Sequence, residues 1–225
     1  MSSSGNRRLE MNSSECCIVN VATKGRDQYL KGQQRLMKSL ESFGCGVRTK
    51  VWTGEFPDGS PTHESDPYAF KVTAIREAVE AGFTYILWLD ASAWAVSEVT
   101  PVFEHIKEYG WLFQYSGHTV NQWINDETLE KFGMTREDAS MMLLYMGGIF
   151  GLNMENAKAE VFLEEMEECV AQGMFRGSWA NHRHDMSCGS VVACKLGMPL
   201  QPSNKFLILE KEKTRKDLVF CCQGM

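Results

Sequence analysis

The chain reads as an α/β protein built around one central sheet with right-handed crossovers. Three observations predict this. Short apolar, β-branched runs alternate with segments of helical periodicity. Glycine and proline punctuate the boundaries between them. The 225 residues, 44% of them apolar, suffice for one sizeable core.

The elements follow in order. Residues 1–15 are polar and carry Arg7 and Arg8 without an apolar stretch, so they are expected to form a disordered tail and not a secretion signal. Residues 16–225 are expected to form one domain. Cys16 to Ala22 is a buried strand, and 23–27 a turn around Gly25. Leu36, Leu40 and Phe43 recur at helical spacing until Gly44 and Gly46. Val47 to Trp52 alternates as a second strand, and the proline-rich stretch 54–67 is a loop. Tyr68 to Ala81 is a second helix with Val72, Ile75 and Val79 on one face, ended by Gly82. Tyr85 to Leu89 is the most apolar strand of the chain and stops at Asp90. Further elements are expected as a helix over 101–109, a strand over 111–115, a helix near 126–132 and a strand over 148–152. Helices are expected over 155–171 and 185–196. The tail over 204–216 mixes Lys with Glu, and an apolar run closes it at 218–222.

Composition excludes several classes. A formal charge of −6 argues against a non-specific nucleic-acid binder, which needs a basic face. No apolar run is long enough for a membrane span. The eight cysteines include no C-x-x-C pair and lie mostly in apolar stretches, which points to reduced core residues and a cytoplasmic setting. Met141, Met142 and Met146 read as core filler.

The chemistry concentrates at the end of the 85–89 strand. In open α/β sheets ligands bind beyond the carboxyl ends of the strands, so Asp90 is expected at the edge of a site. A buried carboxylate needs a cation or hydrogen-bond donors, and a hard divalent metal bridging it to a diphosphate would supply them. The plainer role for Asp90 is to cap the following turn through backbone amides. Arg26 could meet a phosphate or a base, or be solvated; Lys71 could flank the buried face or point to solvent. Asp185 is a candidate general base, or the N-cap of the last helix. His182 and His184, two apart, could contact metal or phosphate, or be loop histidines. Trp123 could offer a platform for a sugar ring, or be core.

Taken together, these pieces resemble glycosyltransferases of the GT-A fold, including small virus-encoded members. The apolar strand ending in Leu89-Asp90-Ala91-Ser92 resembles their D-x-D strand. Val19-Asn20-Val21-Ala22-Thr23, followed by Tyr29 and Arg35-Leu36, resembles the first strand and helix, where base and ribose dock. Pro67-Tyr68-Ala69-Phe70-Lys71 resembles the helix that places a lysine near the nucleotide-sugar. Gly147-Gly148-Ile149-Phe150-Gly151 resembles the strand lining the sugar and acceptor pocket. His182-Arg183-His184-Asp185-Met186-Ser187 is similar to the late H-R-x-D-Q-S box. The likeness spans about residues 16–200. It implies a single GT-A-like, Rossmann-like domain with a mixed, mostly parallel sheet flanked by helices. It also implies transfer from a nucleotide-diphosphate sugar, a UDP-sugar by family habit, to a glycan, a glycoprotein or another hydroxyl acceptor. Mn2+ or Mg2+ would sit on Asp90 and Ser92. Thr23, Arg26, Lys71, Asp90, Ala91, Gly148 and His184 would line the donor site, with Asp185 catalytic.

Two positions depart from the pattern. Ser92 stands where the family commonly has a second metal-binding carboxylate, and a hydroxyl is a poorer ligand. Met186 stands where a glutamine is usual and cannot hydrogen-bond a sugar hydroxyl. A non-catalytic nucleotide-sugar binding module therefore stays open. A sugar nucleotidyltransferase is a third reading, although Thr23-Lys24-Gly25-Arg26 holds only one glycine for a phosphate loop.

Overall fold

The computed structural model describes residues 12–23, 27–209 and 218–223. Its elements are β1 (Cys16–Ala22), α1 (Asp27–Phe43), β2 (Arg48–Thr53), α2 (Phe70–Glu80), β3 (Tyr85–Leu89), β4 (Ala93–Ala95), α3 (Thr100–Tyr109), β5 (Trp111–Thr119), α4 (Asp126–Lys131), α5 (Arg136–Ser140), β6 (Leu143–Asn153), α6 (Ala157–Ala171), α7 (Asp185–Lys195), β7 (Leu207–Leu209) and β8 (Phe220–Cys222).

Five strands form the central sheet in the order β2-β1-β3-β6-β5. β1 pairs parallel with both β2 and β3, whereas β6 runs antiparallel to both β3 and β5. Four strands therefore point one way and β6 alone is reversed. This is an α/β architecture with a mixed sheet flanked by helices, compatible with a Rossmann-like fold.

Strand alternation sorts the core into two layers. Cys17, Val19 and Val21 of β1, with Ile86 and Trp88 of β3, pack against α2, α6 and α7. Cys16 and Ile18, with Tyr85, Leu87 and Leu89, pack on the other face against α1 and α3. Because Asp90 continues the parity of Ile86 and Trp88, its side chain emerges on the α2/α7 side.

Several expectations are corrected. Ser13–Glu15, assigned to the tail, form a 3-10 turn in which Asn12 accepts a hydrogen bond from the Ser14 amide and the Glu15 carbonyl accepts one from Thr84. α2 starts at Phe70, because Tyr68 has φ 66° and cannot belong to a right-handed helix. The 148–152 strand is the second half of a longer one, and Met141, read as core filler, is 84% exposed. α5 was not foreseen. Leu207–Leu209, placed in a charged tail, instead joins β8 and β4 in a second sheet of order β4-β8-β7. Buried Gln114 anchors it: its amide nitrogen donates to the Leu207 carbonyl, and its oxygen accepts from the Phe206 and Leu207 amides. Lys211, Lys213, Arg215 and Lys216 lie outside the described residues. Cys16, Cys17, Cys45, Cys169, Cys188 and Cys194 form no disulfide.

No helix among the described residues is long and apolar enough to cross a membrane.

Candidate functional site

The chain leaves β1 toward β2 on one side and returns through α2 to β3 on the other. The topological switch point of the parallel strands therefore lies between β1 and β3 at their carboxyl ends, where a crevice forms in such sheets. Thr23 and Asp90 stand at those two ends. The gap is bridged by buried polar groups: Asn20 Nδ2 donates to the Leu89 carbonyl at 2.6 Å, and Gln33 Nε2 donates to Asn20 Oδ1 at 2.8 Å. Gln33 also donates to the Trp52 carbonyl and accepts from Thr53 Oγ1, so the ends of β1, β2 and β3 are tied to α1. At Gly32, one residue earlier, a Cβ would overlap the Ala91 carbonyl oxygen. Glycine there lets α1 seat directly on the turn after Asp90.

Lys71 is the centre of the site. Its sequence position left open a place beside the buried face or in solvent, and it is 3% exposed. Its ammonium lies 3.1 Å from Asp90 Oδ1 and 2.9 Å from Asp185 Oδ2, and donates to the Gly147 carbonyl at 2.9 Å. An ammonium has three protons and finds three oxygens here. Burial alone would lower the Lys71 pKa. The Asp185 and Asp90 carboxylates outweigh that and hold it above its usual value. Asp185 is shifted upward by burial, with Lys71 pulling the other way and Asp90 adding to the rise. Oδ2 of Asp185 touches the ammonium as an ion partner but outside hydrogen-bonding angles. The ammonium favours the charged carboxylate and burial opposes it, with the balance above the ordinary aspartate value, which makes Asp185 a stronger proton acceptor than a surface aspartate.

Asp90 does not cap its own turn with its side chain. Oδ1 accepts from the Trp88 indole at 2.8 Å in addition to facing Lys71, and the side chain is 33% exposed. Asp185 is not the N-cap of α7 either. His184 occupies that position without a side-chain cap, and Asp185 is the first helical residue.

β6 brings Gly147 and Gly148 to this point through a bulge. Phe113 pairs with Phe150 but Tyr115 pairs with Tyr145, so β6 spends extra residues between them. A Cβ on Gly147 would come within 2.7 Å of Met186 and 3.0 Å of Asp185 Oδ2, and one on Gly148 would lie 3.6 Å from Asp90 Oδ2. The glycines keep side chains out of the space beside both carboxylates.

His184 and His182 do not present themselves as ligands. His184 Nδ1 lies 2.7 Å from the Phe175 carbonyl, and His182 Nε2 lies 2.9 Å from the Met174 carbonyl. A carbonyl only accepts, so each of these nitrogens carries the hydrogen. Burial lowers both pKa values, that of His182 to about 4, and both rings are neutral near pH 7. Ala91 is buried. Ser92 is engaged through its carbonyl, which accepts from Arg35 and from the Gln223 amide. Arg35 itself lies over the Trp94 ring. Arg26 lies outside the described residues.

The donor set for a divalent metal is sparse. Asp90, a third exposed, and Ser92 two residues on are the side chains that could hold one, and among the described residues no group of three or more His, Cys, Asp or Glu side chains is arranged to hold an ion. Such an ion would take its remaining ligands from a bound phosphate.

Sequence reasoning did not single out Tyr68, Trp179 or Arg183 as site residues. The rings of Tyr68, His184 and Trp179 lie within 5.7 Å of one another, and the Lys71 ammonium is 5.1 Å from the Tyr68 ring. Tyr68 and His184 both adopt positive φ, the latter at φ 45° and ψ −111°. Backbone strain of this kind costs about 1–3 kcal/mol per residue and clusters at functional sites. The available signal was proximity: Tyr68 precedes Lys71 by one turn, and His184 precedes Asp185 directly.

A separate open cleft of about 500 Å3 lies between the start of α3 and β7, lined by Ser97, Glu98, Pro101, Lys205, Phe206 and Val219. It shares no residue with the Lys71 site and brings together no buried charges. No protein-family model matches this chain, and no curated protein matches its sequence.

Proposed function

We propose that the chain is a GT-A-type glycosyltransferase that moves a sugar from a nucleotide diphosphate, a UDP-sugar by resemblance, to a hydroxyl acceptor on a glycan or glycoprotein. The observation that carries this reading is the carboxylate of Asp90. It stands at the switch point between β1 and β3, partly open to solvent, and is tied through Lys71 to buried Asp185.

Charge supports a metal requirement. Two carboxylates and one ammonium leave the cluster with one net negative charge, so a diphosphate meets repulsion unless another cation joins it. Mn2+ or Mg2+ held by Asp90 Oδ2, the Ser92 hydroxyl and the diphosphate would stabilise charge on the leaving phosphate. Lys71 is buried between the two carboxylates and donates to the Gly147 carbonyl, so its part is to position Asp90, Asp185 and that carbonyl. Asp185 is assigned as the proton acceptor. As the acceptor oxygen bonds to the anomeric carbon and the carbon–oxygen bond to the diphosphate breaks, its carboxylate takes the hydroxyl proton.

Titration with UDP, with and without Mn2+, and a UDP-sugar release assay test the proposal. Asp90→Ala is expected to lower metal-dependent release by roughly 100-fold or more, the scale of losing one preorganised electrostatic contact, with the circular-dichroism spectrum of the fold retained. Release at the parental rate would overturn the assignment. Ser92 and Met186 sustain one competing reading, a binding module without catalysis; tight UDP binding with no release in either condition would establish it instead.

A further inference from the structure

Arg35 lies over one indole, whereas Arg183 lies between two. The Arg183 guanidinium carbon lies 3.8 Å from the Trp123 ring centre and 3.9 Å from that of Trp179, so two indoles fix it. Its backbone amide donates to Ser187 Oγ at 3.1 Å and to the Trp123 carbonyl at 2.9 Å, and one terminal nitrogen, Nη1, donates to the Trp179 carbonyl. Among the described residues no carboxylate pairs with it, whereas Arg76, Arg136 and Arg176 each have an acidic partner. Nε and Nη2 are neither hydrogen-bonded to described groups nor buried. Burial of part of the side chain lowers its pKa below the usual arginine value, and Tyr68 partly offsets this. The result is a rigid cation with one edge of its fork free, joined to the Lys71 cluster through Trp179, half exposed, and Tyr68.

A guanidinium locked flat with a free N–H edge is preorganised for two-point recognition of a planar or tetrahedral oxyanion. We propose that Arg183 is a specificity residue for an anionic acceptor. On the glycosyltransferase reading above, on which this rests, the acceptor sugar carries a carboxylate or a phosphate that Arg183 grips. The neighbouring aromatic rings then meet the apolar face of the sugar. The mutual repulsion between that anion and the Asp90–Asp185 pair orients the acceptor with its charged group outward and its hydroxyl inward.

The test is an equilibrium titration of the full chain, followed by tryptophan fluorescence, since Trp123 and Trp179 flank the proposed contact. The probes are methyl β-glucuronide, glucose 6-phosphate and methyl β-glucoside, with UDP and Mn2+ titrated separately. One or both anionic sugars are expected to bind roughly ten-fold or more tighter than the neutral glucoside, the scale of a charge-assisted hydrogen bond, and the pair tells carboxylate from phosphate. Arg183→Gln should erase the preference and Arg183→Lys should weaken it, with UDP affinity unchanged in both. Equal binding of the three sugars, no binding of any, or a preference that survives Arg183→Gln would overturn the proposal. So would a loss of UDP affinity in Arg183→Lys, which would place Arg183 on the donor. If UDP fails to bind the parental chain while the anion preference holds, the transferase reading fails and the anion site stands.

Discussion

Replacing Lys71 by methionine would keep most of the aliphatic stem of the side chain and remove the ammonium. Asp185 would then be a buried carboxylate facing Asp90 with no counter-charge. Breaking a buried pair on one side costs about 3–5 kcal/mol, mainly because the remaining charge is stranded. Lys71→Met is therefore expected to lower stability by that order in urea unfolding. The double variant Lys71→Met with Asp185→Asn should recover much of the loss, because neither charge is then left buried. Strict additivity of the two single effects would show that the groups do not interact. The Asp90 contact contributes less, since its carboxylate is a third exposed and screened by water.

At the scale of elements, the site depends on how closely α1 approaches the turn after β3. Gly32 is the contact, and the Asn20–Gln33–Thr53 network beside it holds the three parallel strand ends in register. Gly32→Ala forces either α1 or the Ala91 turn to move. Overpacking of this kind costs about 1–3 kcal/mol. UDP affinity should fall together with the melting temperature, because the displaced turn carries Asp90. A variant that loses stability while binding UDP as before would show that the turn is not part of the donor site. The bulge in β6 acts in the same way from the other side, turning Gly147 toward α7 where regular pairing would continue the strand.

At the scale of the whole molecule, the buried histidines give the fold a pH response. His182 is fully buried, with a pKa of about 4 in the folded chain against 6.5 in an ordinary setting, the cause being burial, then His184, with the Met174 carbonyl opposing. Its folded pKa is depressed, so the unfolded chain binds more protons between those values. The contribution is complete above pH 6.5 and is lost as pH falls toward 4. Linkage puts it on the order of 3 kcal/mol. Asp185 acts in the opposite sense: its raised pKa favours the fold at low pH and is lost as pH rises. Urea midpoints between pH 7 and 4.5 should therefore fall in the parental chain and change less in His182→Gln. An equal slope in both would remove His182 as the source.

How much was legible in advance follows local against long-range order. The strand of Tyr85 to Leu89, its abrupt end at Asp90 and the helices around Leu36 and Ile75 were readable, because two-residue and 3.6-residue periodicities are properties of neighbours in the chain. The same parity puts Asp90 on the side of Ile86 and Trp88 once the strand is granted. The small sheet was not readable, because three-residue strands drawn from 93–95, 207–209 and 220–222 carry too little pattern to announce pairing.

Local pattern in the chain suffices for an α/β architecture with an acid at the mouth of its most apolar strand. Long-range packing is what buries Lys71, brings Asp185 and Asp90 to its ammonium and sets Arg183 between two indoles. Those facts depend on which helix packs on which face of the sheet and at what depth. That packing is settled by the joint burial of side chains far apart in the chain, and no local spacing encodes it.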